Sequence, residues 1–231
     1  KQSETVTFDA IKYELSDLGG AASKDFTYKI KEVIPATATK NADDKWELDG
    51  VTYDDTEKTV VVTVTDDGNG NLSVTYDGSD TFETPEFKNE YGTTGKGQLH
   101  AKKAANDLLR DKTFTFDLYE VTKDADDNEV ENKIGTSNAV KQGETADFEV
   151  WTFGLADDNL EKVYRIKETI PSTAIKNETT GKYELDGVTY SDKAVEVIVK
   201  VNDDGNGTMV VTYDGKTTFE TPEFENTYNA T

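Results

Sequence analysis

"TVVVTVTDDGNGNLSVTYDG", residues 59–78, decides the fold. Val60, Val62 and Val64 fall on one face of an extended chain and Val61, Thr63 and Thr65 on the other, which is the period of a strand. Leu72, Val74 and Tyr76 alternate in the same way after an Asp-Gly-Asn-Gly turn, so the whole stretch predicts a hairpin. The pattern returns as "AVEVIVKVNDDGNGTMVVTYDG" at 194–215. "KTFTFDLYEV" (112–121), "VYRIKE" (163–168) and "PEFENTY" (222–228) also alternate. Many short strands at regular spacing predict an all-β sandwich with Greek-key connections. "HAKKAANDLLRD" (100–111) has helix-forming composition, and is read as a strand through Ala104 followed by a loop or short helix.

The hairpin is one part of a longer internal duplication, offset by about 137 residues. "KQSETVTFDAIKYEL" (1–15) matches "KQGETADFEVWTFGL" (141–155), and "YKIKEVIP" (28–35) matches "YRIKETIP" (164–171). "ELDGVTY" occurs at 47–53 and 184–190, and "TFETPEF" at 81–87 and 218–224. The order is the same in both copies, so the chain reads as two tandem domains of one fold, 1–92 and 97–231, joined by the polar, glycine-rich linker "GTTGKG" (92–97). The second copy carries about 45 residues ahead of its "KQGET" that have no counterpart in the first. The first copy is therefore expected to lack its N-terminal strands, and the chain reads as an excised piece. The strand could be cut away, left unresolved or supplied by another chain.

Composition narrows the classes of function. With 47 acidic against 25 basic residues, the net charge of −22 disfavours nucleic acid and anionic membrane surfaces. There is no cysteine, which excludes disulfides, zinc-thiolate sites and a cysteine nucleophile. No stretch reads as a signal peptide, membrane-inserted run or sorting tail. One histidine, His100, lies on the outward phase of its strand and leaves hydrolase chemistry little to work with. "DADDNE" (124–129) has acids at calcium-like spacing but lacks the glycine and terminal glutamate of a calcium loop, so it is read as a solvated turn. No cofactor and no metal are expected.

Strand parity isolates three residues in the second copy. Tyr164, Ile166 and Glu168 share a face; so do Phe224, Asn226 and Tyr228; so do Leu99, Ala101 and Lys103, with His100 and Lys102 on the other side. Three strands thus each place one polar group on an apolar stripe. Burying a lone charge costs several kcal/mol or neutralises it through a pKa shift. The arrangement makes sense if the three meet. A desolvated lysine loses its proton and becomes a nucleophile, and a buried carboxyl is protonated. Lys103 Nζ would attack Asn226 Cγ and ammonia would leave. Glu168 would polarise the Asn226 carbonyl and shuttle protons.

These strands resemble the isopeptide-linkage domains of Gram-positive pilins and surface adhesins, of the CnaB-like type. In that family an L-x-V-x-K strand carries the lysine, a Y-x-(V/I)-x-E strand the glutamate, and a final F-x-N strand the asparagine. Here "LHAKK" supplies Lys103, "YRIKE" supplies Glu168 and "FEN" supplies Asn226. The first copy matches with Glu32 from "YKIKE" and Asn89 from "FKN", an acceptor without a lysine in this chain. The resemblance implies two tandem Ig-like sandwiches forming a stalk segment of a cell-surface protein. It also implies an extracellular, cell-wall-anchored location and neighbouring repeats or pilus subunits as partners, with a host receptor among the further partners. The chemistry would be one intramolecular event and not enzymatic turnover.

Blander readings stand beside this one. A lysine on a strand is commonly an edge residue that wards off aggregation, and an asparagine can be a satisfied core amide. A register shift of one residue would return Glu168 to solvent. The chain could instead be an unlinked Ig-like repeat, or an adhesin module binding carbohydrate or host protein through aromatics such as Trp46 and Trp151.

Overall fold

The computed structural model describes residues 4–230. Its backbone contacts divide into two compact units, Lys1–Glu90 and Tyr91–Thr231. Both are built from strands, and the fold is the all-β, Ig-like sandwich that the alternation predicts.

In the second unit, five antiparallel strands lie in the order Glu129–Thr136, Phe116–Lys123, Leu160–Glu168, Ala194–Asp203 and Met209–Tyr213. A three-stranded sheet, Thr145–Asp147, His100–Lys103 and Glu223–Phe224, contributes to the same core. Phe116, Ile166, Val197 and Val199 come from the larger sheet, and Ala101, Ala146 and Phe224 from the smaller. The outward residues of the glutamate strand behave as the alternation requires. Arg165 and Lys167 pair with Glu131 at 2.5 and 2.6 Å, and Arg165 also meets Glu196.

Among the described strand-to-strand pairings, one differs from the antiparallel rule. Glu223–Phe224 runs parallel to His100–Lys103, with Lys103 opposite Phe224. The backbone bonds Lys102 N–H to Pro222 O (2.8 Å) and Ala104 N–H to Phe224 O (2.9 Å) hold this register. After Lys103 the chain leaves the sheet and turns through a 3-10 helix, Asp107–Leu109, which settles the ambiguous segment.

The stretch expected as a linker is partly structural. Thr94–Gly97 is a strand, paired antiparallel with Trp151–Gly154. A side chain at Gly95 would lie 2.2 Å from the Met209 carbonyl oxygen, so this glycine serves close packing and not flexibility.

In the first unit, Ser23–Lys31, Glu57–Asp66 and Leu72–Tyr76 form a three-stranded sheet over a small cluster of Leu18, Val60, Val62 and Val64. Its hairpin turn is closed by Asp67, whose Oδ1 accepts the N–H groups of Asn69 and Asn71 at 2.7 and 3.1 Å. Asp204 does the same for Asn206 and Thr208. Val6 and Phe8 are 76% and 70% exposed, whereas their counterparts Ala146 and Phe148 are 0% and 4% exposed. In the second unit the lysine strand pairs edge to edge with Thr145–Asp147 in the same sheet. Among the described residues of the first unit no strand takes this place.

Candidate functional site

The parity of three strands brings Lys103, Glu168 and Asn226 inward, and the two-sheet architecture brings them together. Lys103 sits at the end of its strand, and Asn226 lies two residues beyond Phe224, its neighbour across the parallel seam. Glu168 ends the strand Leu160–Glu168 and reaches in from the larger sheet. Lys103, Glu168 and Asn226 are 0%, 4% and 3% exposed.

Glu168 is the hub. Lys103 Nζ donates to both of its oxygens at 3.1 Å. Asn226 Nδ2 donates to Oε1 at 2.7 Å. Amine and carboxamide nitrogen therefore share one carboxylate oxygen. The Asn226 carbonyl accepts the backbone N–H of Ser191 at 2.9 Å, an N–H that also lies 3.3 Å from Glu168 Oε2. The carboxyl thus meets the Asn226 nitrogen and a backbone amide meets its oxygen, whereas the sequence reading sets Glu168 to polarise that oxygen.

The surroundings are apolar. The Phe114 ring lies 4.5 Å from Lys103 Nζ, and Phe114 joins Leu109 and Val188 in a small cluster flanked by Tyr190 and Tyr228. Asn106 fixes one edge: its Oδ1 caps the short helix through Leu108 N–H, while its Nδ2 donates to the Asn226 backbone carbonyl at 2.9 Å. Burial pushes the Glu168 carboxyl up and the Lys103 ammonium down, each opposed by the charge of the other. Both shifts favour an uncharged amine beside a protonated acid, the pair that nucleophilic attack on an amide requires.

The first unit repeats the glutamate–asparagine half of the same arrangement. Asn89 Nδ2 donates to Glu32 Oε1 at 2.6 Å, and Asn89 Oδ1 accepts the backbone N–H of Asp54 at 2.7 Å. Glu32 Oε2 is buried without a hydrogen-bond partner, at the position where Glu168 Oε2 receives Lys103. Asn89 itself is exposed, unlike Asn226.

The other residues singled out in the sequence lie elsewhere. His100 is half-buried and bonds Asp147 through Nδ1 at 2.7 Å. Trp151 stacks on Tyr164 with ring centroids 4.7 Å apart, and Trp46 is half-buried beside Lys40. Neither tryptophan stands on an open aromatic face. In "DADDNE", Asp124 Oδ1 accepts the N–H groups of Asp126 and Asn128, both at 2.9 Å, as a turn-forming aspartate does. Ser191, Asp54, Phe114 and Asn106 were not singled out by sequence reasoning. The repeated "GVTY" that precedes both Asp54 and Ser191 was the available signal.

A model of the FctA family, described as a Spy0128-like isopeptide containing domain, matches residues 1–92 and again 99–229. The chain belongs to the FctA family. FctA domains are structural pilin domains, and the family places the chain among proteins of the bacterial cell surface that assemble with other pilus subunits. A comparison with curated proteins finds no match. Among the described residues of this FctA chain no helix is long and apolar enough to cross a membrane.

Proposed function

We propose that the second FctA unit joins Lys103 Nζ to Asn226 Cγ in a spontaneous isopeptide bond, and that the chain, two tandem repeats at 1–92 and 97–231, is a load-bearing stalk segment of a cell-wall-anchored pilin or adhesin. The observation that carries this reading is the enclosed trio: an amine, a carboxyl and a carboxamide in contact, all nearly free of solvent. Neutral Lys103 attacks Cγ, and Glu168 gives its proton to the departing nitrogen. The carboxylate then recovers a proton from the new linkage, and one ammonia leaves. Folding supplies the rate by holding the reactants together at high effective concentration. Each molecule reacts once, so the glutamate promotes a maturation step and the protein turns over no substrate.

Intact mass after denaturation tests this directly. The protein should be one ammonia lighter than its sequence, and a tryptic digest should contain the peptide of Lys103 joined to that of Asn226. A full-mass protein overturns the reading.

The first unit extends the reading. Glu32 and Asn89 form an acceptor for a lysine borne on another strand, and the exposed Val6 and Phe8 mark the segment beside which that strand would pair. A synthetic peptide of residues 97–112, which carries Lys103, should form an adduct one ammonia lighter than the two components together. Asn89→Ala should abolish the adduct.

A further inference from the structure

We infer that the backbone N–H of Ser191, and that of Asp54 in the first unit, is the oxyanion donor of the cross-linking reaction. The inference rests on the isopeptide reading above and names a group which that reading does not need in order to stand. Attack on a carboxamide pushes the carbonyl electron pair onto oxygen, and that oxygen must be stabilised before the carbon–nitrogen bond can break. Glu168 is not placed to do it, because its oxygens meet Asn226 Nδ2 and Lys103 Nζ. The Asn226 oxygen points at the Ser191 N–H, 2.9 Å away, and the same N–H lies 3.3 Å from Glu168 Oε2.

The first unit makes the same contact between Asp54 N–H and Asn89 Oδ1, at 2.7 Å, with no lysine among the described residues hydrogen-bonded to its Glu32. The donor is thus a property of the acceptor half and is in place before an amine arrives. The side chains at the two positions differ and are turned to other tasks. Ser191 Oγ accepts from Lys193 N–H, while Asp54 binds Thr56 and the Lys88 N–H. What the two copies share at this point is the main-chain amide.

In balance, the Nζ lone pair forms the bond to Cγ and the carbonyl pair moves to Oδ1, held by the Ser191 N–H. When the pair returns, the Cγ–Nδ2 bond breaks, and the Glu168 proton completes ammonia. The carboxylate then takes the surplus proton from Nζ. No other reactant is consumed.

The test follows linkage in time. Protein synthesised into denaturant is diluted to start folding, and its intact mass is read at intervals. Ser191→Ala keeps the amide hydrogen and is the reference against which the proline variant is read. Ser191→Pro removes it and should link about 10²–10³-fold more slowly, the usual loss for one oxyanion donor. Melting of Ser191→Pro in a Lys103→Ala background, compared with Lys103→Ala alone, separates a folding defect from a chemical one. If proline prevents folding, a semisynthetic ester between residues 190 and 191 removes the same hydrogen with little change of shape. Linkage at the wild-type rate in a folded proline or ester variant overturns the inference. A wild-type protein that loses no ammonia overturns the isopeptide reading instead.

Discussion

Lys103→Ala is expected to leave the protein at full sequence mass and to lower the stability of its second unit by about 5 kcal/mol from the lost cross-link alone, on the loop-entropy scale used for disulfides. The bond would close a loop from Lys103 to Asn226, two residues beyond the last strand of the three-stranded sheet, which takes in most of the unit. For a domain of this size the corresponding fall in melting temperature is roughly 15–20 °C. Melting alone does not identify the cause, because removing one partner of a buried ion pair also costs about 3–5 kcal/mol. The double variant does. If a covalent bond is the source, Lys103→Ala and Asn226→Ala each remove all of it, and the combination destabilises far less than the two effects added. Additive effects, with a wild type at full mass, would mean an ordinary buried polar cluster.

Glu168→Gln should fold and should link about 10²–10⁴-fold more slowly than wild type, the range assigned to a positioned general acid or base. Glutamine keeps the shape and one carbonyl for Asn226 Nδ2, but it cannot relay a proton. The wild-type rate should be bell-shaped in pH. The reactive state carries one proton between Glu168 and Lys103, and burial favours placing it on the acid. Acid adds a second proton and converts the amine to an unreactive ammonium. Alkali removes the last proton and leaves the departing nitrogen without a donor. In Glu168→Gln the alkaline limb should disappear, since the group that titrates there is gone. A glutamine variant that links as fast as wild type would remove Glu168 from the mechanism.

How much of this could be read beforehand follows from the period of a strand. Burial of Leu99, Ala101 and Lys103, of Tyr164, Ile166 and Glu168, and of Phe224 and Asn226 is the alternation made visible, because a one-residue slip would expose every member of each set. The duplication was legible for the same reason: the hairpin at 59–78 and its twin at 194–215 carry the same phase and the same aspartate-closed turn. Three features were not legible. The Ser191 N–H is main chain, and no side chain in the sequence advertises it. The direction in which Asn226 presents its nitrogen and oxygen depends on that amide and on Glu168 together, a tertiary fact. The segment "GTTGKG" has the composition of a linker, yet Gly95 is small because Met209 packs against it.

The parallel seam between His100–Lys103 and Glu223–Phe224 has a consequence of its own. Two strands that run in the same direction are entered and left at opposite ends, so a tug on the incoming chain and a tug on the outgoing chain slide them past one another instead of peeling them apart. Sliding must break all the seam's hydrogen bonds at once, whereas peeling breaks them singly. Lys103 and the residue two beyond its neighbour stand at the downstream end of this seam, where the proposed bond would act as a rivet and stop the slide before it starts.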